Sequence, residues 1–240
     1  MAQLRAILFD IDDTLYSTTE FADLARSNGV TAMVRLGLRM EHEAVMRELR
    51  EVIAEFTSNY EGHFDKLLLR LPREVYEGLN PAILVAGAVI AYHETKASRL
   101  RPLPDVVEAL RKLSHTELIL GVITMGPQVK QAEKILRLGL MDYIDPSAIF
   151  ISDQIGISKP NPKLYLRACR SVGVPPEEAM YVGDNPPNDI SPPKSIGMMA
   201  VLNRRSGKYS RVACDVEPDY RISDFTALRG ILRDDFALPV

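Results

Sequence analysis

The chain has 240 residues, 46% hydrophobic and 25% charged, which suits one large globular domain or two smaller ones and excludes a disordered chain. Its 29 Lys and Arg against 32 Asp and Glu give a formal charge of −3, so the basic excess of a nucleic-acid binder is absent. Two cysteines, Cys169 and Cys214, without a CxxC pair argue against thiolate zinc, thioredoxin-type redox chemistry and a disulfide framework, and point to a reducing, cytoplasmic setting.

The first apolar run, residues 4–9, ends on Asp10-Ile11-Asp12-Asp13. It reaches an acid too soon for a signal peptide and reads as a buried strand. Residues 17–100 carry no convincing strand. Ser17-Thr18-Thr19-Glu20 offers caps for a helix with a weak spot at Asn28-Gly29. Further helices are expected over 41–56, 63–71 and 81–98, the last with Asn80 as cap and Pro81 in the first turn. The longest apolar stretch, residues 82–92, is too short for a bilayer and reads as helix core or a dimer surface, so no membrane partner is expected.

Beyond Arg101 the pattern alternates. Helices are expected over 105–113, 127–138, 161–172, 194–196 and 223–232, with strands over 118–123, 148–151, 179–182 and 198–202. Strands alternating with helices of this length imply a parallel sheet with right-handed crossovers. In such a sheet ligands bind beyond the carboxyl ends of the strands. Asp10 and Asp12, Thr124, Lys159, and Asp184 and Asp189 all fall at or near such ends.

Each residue has a plainer reading. Asp10 and Asp12 fit an acidic turn, although an EF-hand fails because Leu15 and Phe21 occupy its Gly and Glu positions. Thr124 fits a helix cap, Lys159 a solvated loop lysine, and Gly183-Asp184 a turn. Separate plain readings do not explain why all of these residues meet at one sheet edge. Arg204-Arg205-Ser206-Gly207-Lys208 reads as a solvated loop before it reads as a substrate contact. His42, His63, His93 and His115 lack metal-ligand spacing, and Tyr60, His63 and Phe64 read as packing before pocket lining.

Four motifs carry a resemblance: Asp10-Ile11-Asp12-Asp13-Thr14-Leu15; Thr124 after residues 118–123; Lys159 in Ser158-Lys159-Pro160-Asn161-Pro162; and Gly183-Asp184-Asn185-Pro186-Pro187-Asn188-Asp189. In this order, and across nearly the whole chain, they resemble the haloacid dehalogenase-like hydrolases of the phosphatase type. The resemblance implies an α/β fold: a Rossmann-like parallel-sheet core from residues 1–16 and 101–240, with an inserted all-α cap domain, residues 17–100, as in the type I members.

It also implies an Mg²⁺-dependent phosphatase that hydrolyses a small phosphorylated metabolite through an aspartyl-phosphate. Asp10 is then the nucleophile. Asp12 protonates the leaving oxygen and activates water. Thr124 and Lys159 bind the phosphoryl group, and Lys159 also keeps Asp10 ionised. Asp10, Asp184, Asp189 and the backbone carbonyl of Asp12 form the Mg²⁺ shell. A monomer or homodimer is equally compatible. A phosphomutase shares these residues, and a non-catalytic binding module on the same fold is the reading from a different class. Three departures stand out: Met125 where the family often has Asn, Ser191-Pro192-Pro193-Lys194 where small residues are common, and Asp13 where Gly is frequent.

Overall fold

The computed structural model describes residues 3–57, 60–205 and 207–240. Two compact units divide the chain, Met1–Thr19 with Arg101–Val240, and Glu20–Leu100. In chain order the elements are β1 (Ala6–Phe9), α1 (Thr18–Arg35), α2 (His42–Phe56), α3 (His63–Arg70), α4 (Pro81–Arg99), α5 (Pro104–Leu113), β2 (Ile119–Thr124), α6 (Gln128–Arg137), β3 (Ile149–Ile151), α7 (Ser152–Ile155), α8 (Pro162–Ser171), β4 (Ala179–Gly183), α9 (Ser191–Ser195), β5 (Met199–Asn203), β6 (Tyr220–Ile222) and α10 (Phe225–Phe236).

The first unit is a six-stranded parallel sheet in the order β3-β2-β1-β4-β5-β6. Central strand β1 is buried along its length, as expected of a parallel strand covered on both faces. Alternate side chains face opposite layers. Ala6 and Leu8 pack in the cluster with Leu164, Tyr165, Ala168 and Cys169 of α8, and Phe9 stacks on Phe225 of α10 at 5.9 Å. From β1 the chain steps outward to β2 and β3 on one side, then crosses back to β4 on the other, so the strand order reverses beside β1, where ligands gather in open α/β sheets.

Besides the short helix α7, two features depart from the sequence expectation. The sheet has a sixth strand, β6, whose three residues are too few to show a period and whose Arg221 is exposed at the sheet edge. The proline-rich stretch after Asp184 forms a π turn over Pro186–Ile190 and then α9, which starts at Ser191 rather than at Lys194. Pro192 and Pro193 fall in the first turn of α9, where a missing N–H costs nothing.

The second unit is all helical, with a core that includes Val30, Met33, Val45, Leu49, Phe64, Leu67, Leu84 and Ala88. Asn80 caps α4 by accepting from the Ala82 N–H at 2.9 Å. The apolar stretch within α4 is split: Leu84 and Ala88 are buried, while Ile83 and Ile90 are exposed. Helix α1 runs straight through Asn28-Gly29. A Cβ on Gly29 would stand 2.5 Å from Cζ of Phe64, so the bare backbone is what lets α1 and that ring approach. Gly29→Val is therefore expected to destabilise the helical unit by about 1–3 kcal/mol, read as a lowered Tm. Phe64 serves as packing here.

Among the described residues no helix is long and apolar enough to cross a membrane.

Candidate active site

The Asp10 N–H still donates to Val182 O at 2.9 Å, so the ladder continues one residue past β1 and fixes that residue's direction. Register pairs Phe9 with Val122 and Val182, which sets Asp10 between the ends of β2 and β4. Asp184 follows β4 directly. Asp189 returns from the π turn to the same place, and it can do so because residue 183 is glycine: a Cβ there would meet Asp189 Cγ and Oδ2 at 2.5 Å. Asp10, Asp184 and Asp189 are all buried and offer carboxylate oxygens within 4.8 Å of one another.

Lys159 lies among them, 6% exposed. Its ammonium donates to Asp10 Oδ1 at 2.6 Å, Asp189 Oδ1 at 2.8 Å and the Tyr181 hydroxyl at 2.6 Å, which uses all three protons. Tyr181 in turn donates to Ile123 O at 3.0 Å. A solvated lysine makes no such set of contacts. The second oxygen of Asp189 accepts from the Asn185 N–H at 3.0 Å, whereas Oδ2 of Asp184 is buried with no hydrogen-bond partner.

With all three carboxylates ionised, the single ammonium leaves the cluster two positive charges short. The donor set is all oxygen, which is the chemistry of a hard divalent cation, and the orphaned Asp184 oxygen is a ligand atom in waiting. The residues present therefore fit a metal ion of that class.

The electrostatics agree. Burial pushes the Asp184 carboxyl well above the usual carboxylate range, and the charges of Asp10 and Asp189 push it further. Burial likewise raises Asp10, against the pull of Lys159. Lys159 is raised despite its burial, because Asp10 and Asp189 favour the ammonium.

Asp12 stands apart from this cluster. Its carboxylate takes Lys134 Nζ at 2.7 Å on both oxygens, with Tyr16 Oη at 2.6 Å and Thr18 Oγ1 at 3.0 Å on Oδ1. Burial alone would raise its pKa, but Lys134 and the two hydroxyls outweigh it and hold Asp12 below the ordinary range.

Thr124 closes β2, fully buried, and its hydroxyl donates to Gln131 Oε1 at 3.1 Å. It is no helix cap: α6 begins after Pro127 without a side-chain cap. Met125, the departure beside it, is exposed.

Asp13 has a structural task. Its φ is 56°, the left-handed region where glycine is easiest, and its Oδ1 accepts from the N–H groups of Thr18 and Thr19 at 2.8 and 3.2 Å. It thus caps the first turn of α1 from outside the helix, tying Thr18 and Thr19 to the sheet unit. Arg205 pairs with Asp105, and Arg204 donates to the carbonyls of Tyr209 and Ser210, so both cations hold loop structure. Ser206 of that loop lies outside the described residues.

Lys134, Gln131, Tyr16, Thr18 and Tyr181 are the residues that sequence reasoning missed. One signal was available: Gln131 shares a stripe with Ile135 and Leu138, all buried, so a polar side chain occupies an apolar position of α6.

A haloacid dehalogenase-like hydrolase family model matches residues 4–197. The chain belongs to the haloacid dehalogenase-like hydrolases. Among members of that family, a glyceraldehyde 3-phosphate phosphatase of Methanopyrus kandleri is 44% identical over 237 residues, covering 96% of this chain and 98% of the relative. A haloacid dehalogenase-like phosphatase from Thermococcus onnurineus, known by crystal structure, aligns over 95% of this chain and 98% of its own, at 29% identity and a TM-score of 0.64. A 2-haloacid dehalogenase from Pseudomonas syringae aligns over 96% and 98%, at 25% identity and a TM-score of 0.63. The haloacid dehalogenase-like fold thus serves more than one chemistry, and the side chains at the strand ends must separate them.

Proposed function

We propose that this chain is a phosphatase that hydrolyses a small phosphomonoester, with glyceraldehyde 3-phosphate as substrate, Mg²⁺ as cofactor and a cytoplasmic location. The observation that carries the reading is the buried group of Asp10, Asp184 and Asp189 around Lys159, two positive charges short when all three are ionised, with one Asp184 oxygen unpartnered. The substrate follows from the name of the 44% identical relative. Two free cysteines support the location.

Asp10 and Asp184, with Asp189 and the backbone carbonyl of Asp12, would hold the ion. Bound there, Mg²⁺ supplies charge neutralisation for the phosphate dianion and the carboxylates. Asp10 attacks phosphorus and forms an aspartyl-phosphate, a step in which positioning and charge stabilisation supply the rate. Lys159 favours the ionised form of Asp10, and Lys159 and Thr124 contact the phosphoryl oxygens by turning to them a proton each now gives to a protein acceptor. Asp12, once it carries a proton, gives it to the departing oxygen and then, as the anion, takes one from the water that cleaves the intermediate. The second task suits the anion that Lys134 holds. The helical unit Glu20–Leu100 is the inserted cap in this reading.

The test is phosphate release from glyceraldehyde 3-phosphate with Mg²⁺ and with a chelator. Release that needs the metal is the expected result. Release from a different ester alone would overturn the substrate, and release from no small phosphoester would overturn the function. A product with its phosphate relocated and none set free would mark a phosphomutase.

A further inference from the structure

One face of α6 reaches two site residues that are far apart in the chain. Lys134 and Gln131 are three residues apart and leave the helix on the same side. Lys134 lies 2.7 Å from each oxygen of Asp12. Gln131, buried, accepts from Thr124 Oγ1, donates to Met125 O at 3.0 Å, and brings its Nε2 to 3.5 Å from Asp12 Oδ2. Tyr16 and Thr18 approach Asp12 through Oδ1, whereas the α6 side chains also reach Oδ2. The Asp12 carboxylate is therefore held from two elements and cannot turn about its own axis without breaking the pair with Lys134.

We propose that Lys134 is the positioning residue for Asp12: by holding both carboxylate oxygens it sets the direction from which Asp12 meets the departing and attacking oxygens, and Gln131 links that grip to Thr124. The inference rests on the phosphatase reading above, in which Asp12 serves both proton transfers. Proton transfer needs the carboxylate oxygen within hydrogen-bond reach and aligned, so a carboxylate free to rotate loses rate rather than substrate affinity. A purely structural pair would behave differently. The side chains of Lys134 and Asp12 are 18% and 31% exposed, so the pair is part-buried and a purely structural role would show as a lowered Tm with kcat kept.

Lys134→Met keeps the stem and removes the charge; Lys134→Arg restores a cation. Assayed on glyceraldehyde 3-phosphate with Mg²⁺, Lys134→Met is expected to lower kcat about 10–100-fold, the usual cost of losing a group that orients a reactive one. KM should stay within about threefold and Tm within a few degrees, and Lys134→Arg should recover most of kcat. Unchanged kcat in Lys134→Met, or a kcat loss that Lys134→Arg does not relieve, overturns the proposal.

A crystal structure of Lys134→Met gives a readout independent of turnover. The expected result is an Asp12 carboxylate rotated away from its wild-type direction; an Asp12 that keeps its direction overturns the positioning role. A wild type inert toward every phosphoester would defeat the functional reading alone, because the orientation of Asp12 in that crystal still decides what Lys134 does.

Discussion

Asp10→Asn is expected to release phosphate on the order of 10⁴-fold more slowly than the wild type, or worse, while remaining folded. The substitution is nearly isosteric, and its amide oxygen still accepts from Lys159, which stands 2.6 Å from Oδ1 in the wild type. What disappears is the negative charge that makes the oxygen a nucleophile. The same change removes one of three crowded carboxylates, and Asp10 is itself a cause of the raised Asp184. The Tm of the metal-free variant should therefore equal or exceed that of the wild type. Loss of activity with a preserved or raised Tm separates chemistry from folding; a variant that keeps substantial phosphate release would overturn Asp10 as nucleophile.

The second large effect concerns the ion. Chelation is expected to abolish turnover, and Asp184→Asn to do the same while removing the response of Tm to Mg²⁺. Asp184 has an ordinary value of 3.8 and is raised in the folded protein, so above pH 3.8 the unfolded chain binds fewer protons than the folded one. Stability of the metal-free protein then falls as pH rises through that window. A bound cation favours the charged carboxylate and releases the proton, so the stabilisation by Mg²⁺ should grow with pH over the same range. At a free concentration of a hundred times Kd, the gain is about 2.7 kcal/mol. For a chain of this size that is a rise of roughly 5–10 °C in the transition of the sheet unit. Melting curves across pH, with chelator and with Mg²⁺, give the readout. Equal curves for wild type and Asp184→Asn in Mg²⁺ would remove Asp184 from the metal shell.

Much of this site can be read from the chain, and the parts that cannot have definite causes. Asp10 and Asp184 are legible because each ends an apolar run that can only be a buried strand, and a carboxylate at that point has few structural uses. Thr124 and Lys159 are legible in role only through the resemblance, since a Thr before a helix and a Lys before Pro-Asn-Pro have plainer meanings alone. Lys134 lies on an ordinary amphipathic helix, and only the folded register of α6 beside β2 reveals that it reaches Asp12. Tyr181 reads as strand core, which it is, and its hydroxyl also takes one proton of Lys159.

The fold shows the same division. Five strands are visible as apolar runs, while β6 is three residues long and exists because β5 offers it an edge. The sheet unit includes Thr18 and Thr19, and the Asp13 carboxylate binds both of their N–H groups. That contact joins residues too close in the chain, and in too rare a backbone geometry, for a periodicity argument to register.

Attempts to retarget this enzyme meet an uneven landscape. Met125, beside Thr124, is 45% exposed, so exchanging its side chain disturbs less packing than a change at a buried position. Position 183 tolerates nothing: the smallest enlargement, a single methyl, would evict Asp189, and with it go one of the two anions that anchor Lys159 and the counterweight that keeps the ammonium centred. A library that randomises the rim can yield new specificities, whereas one that includes residue 183 will be populated by dead members.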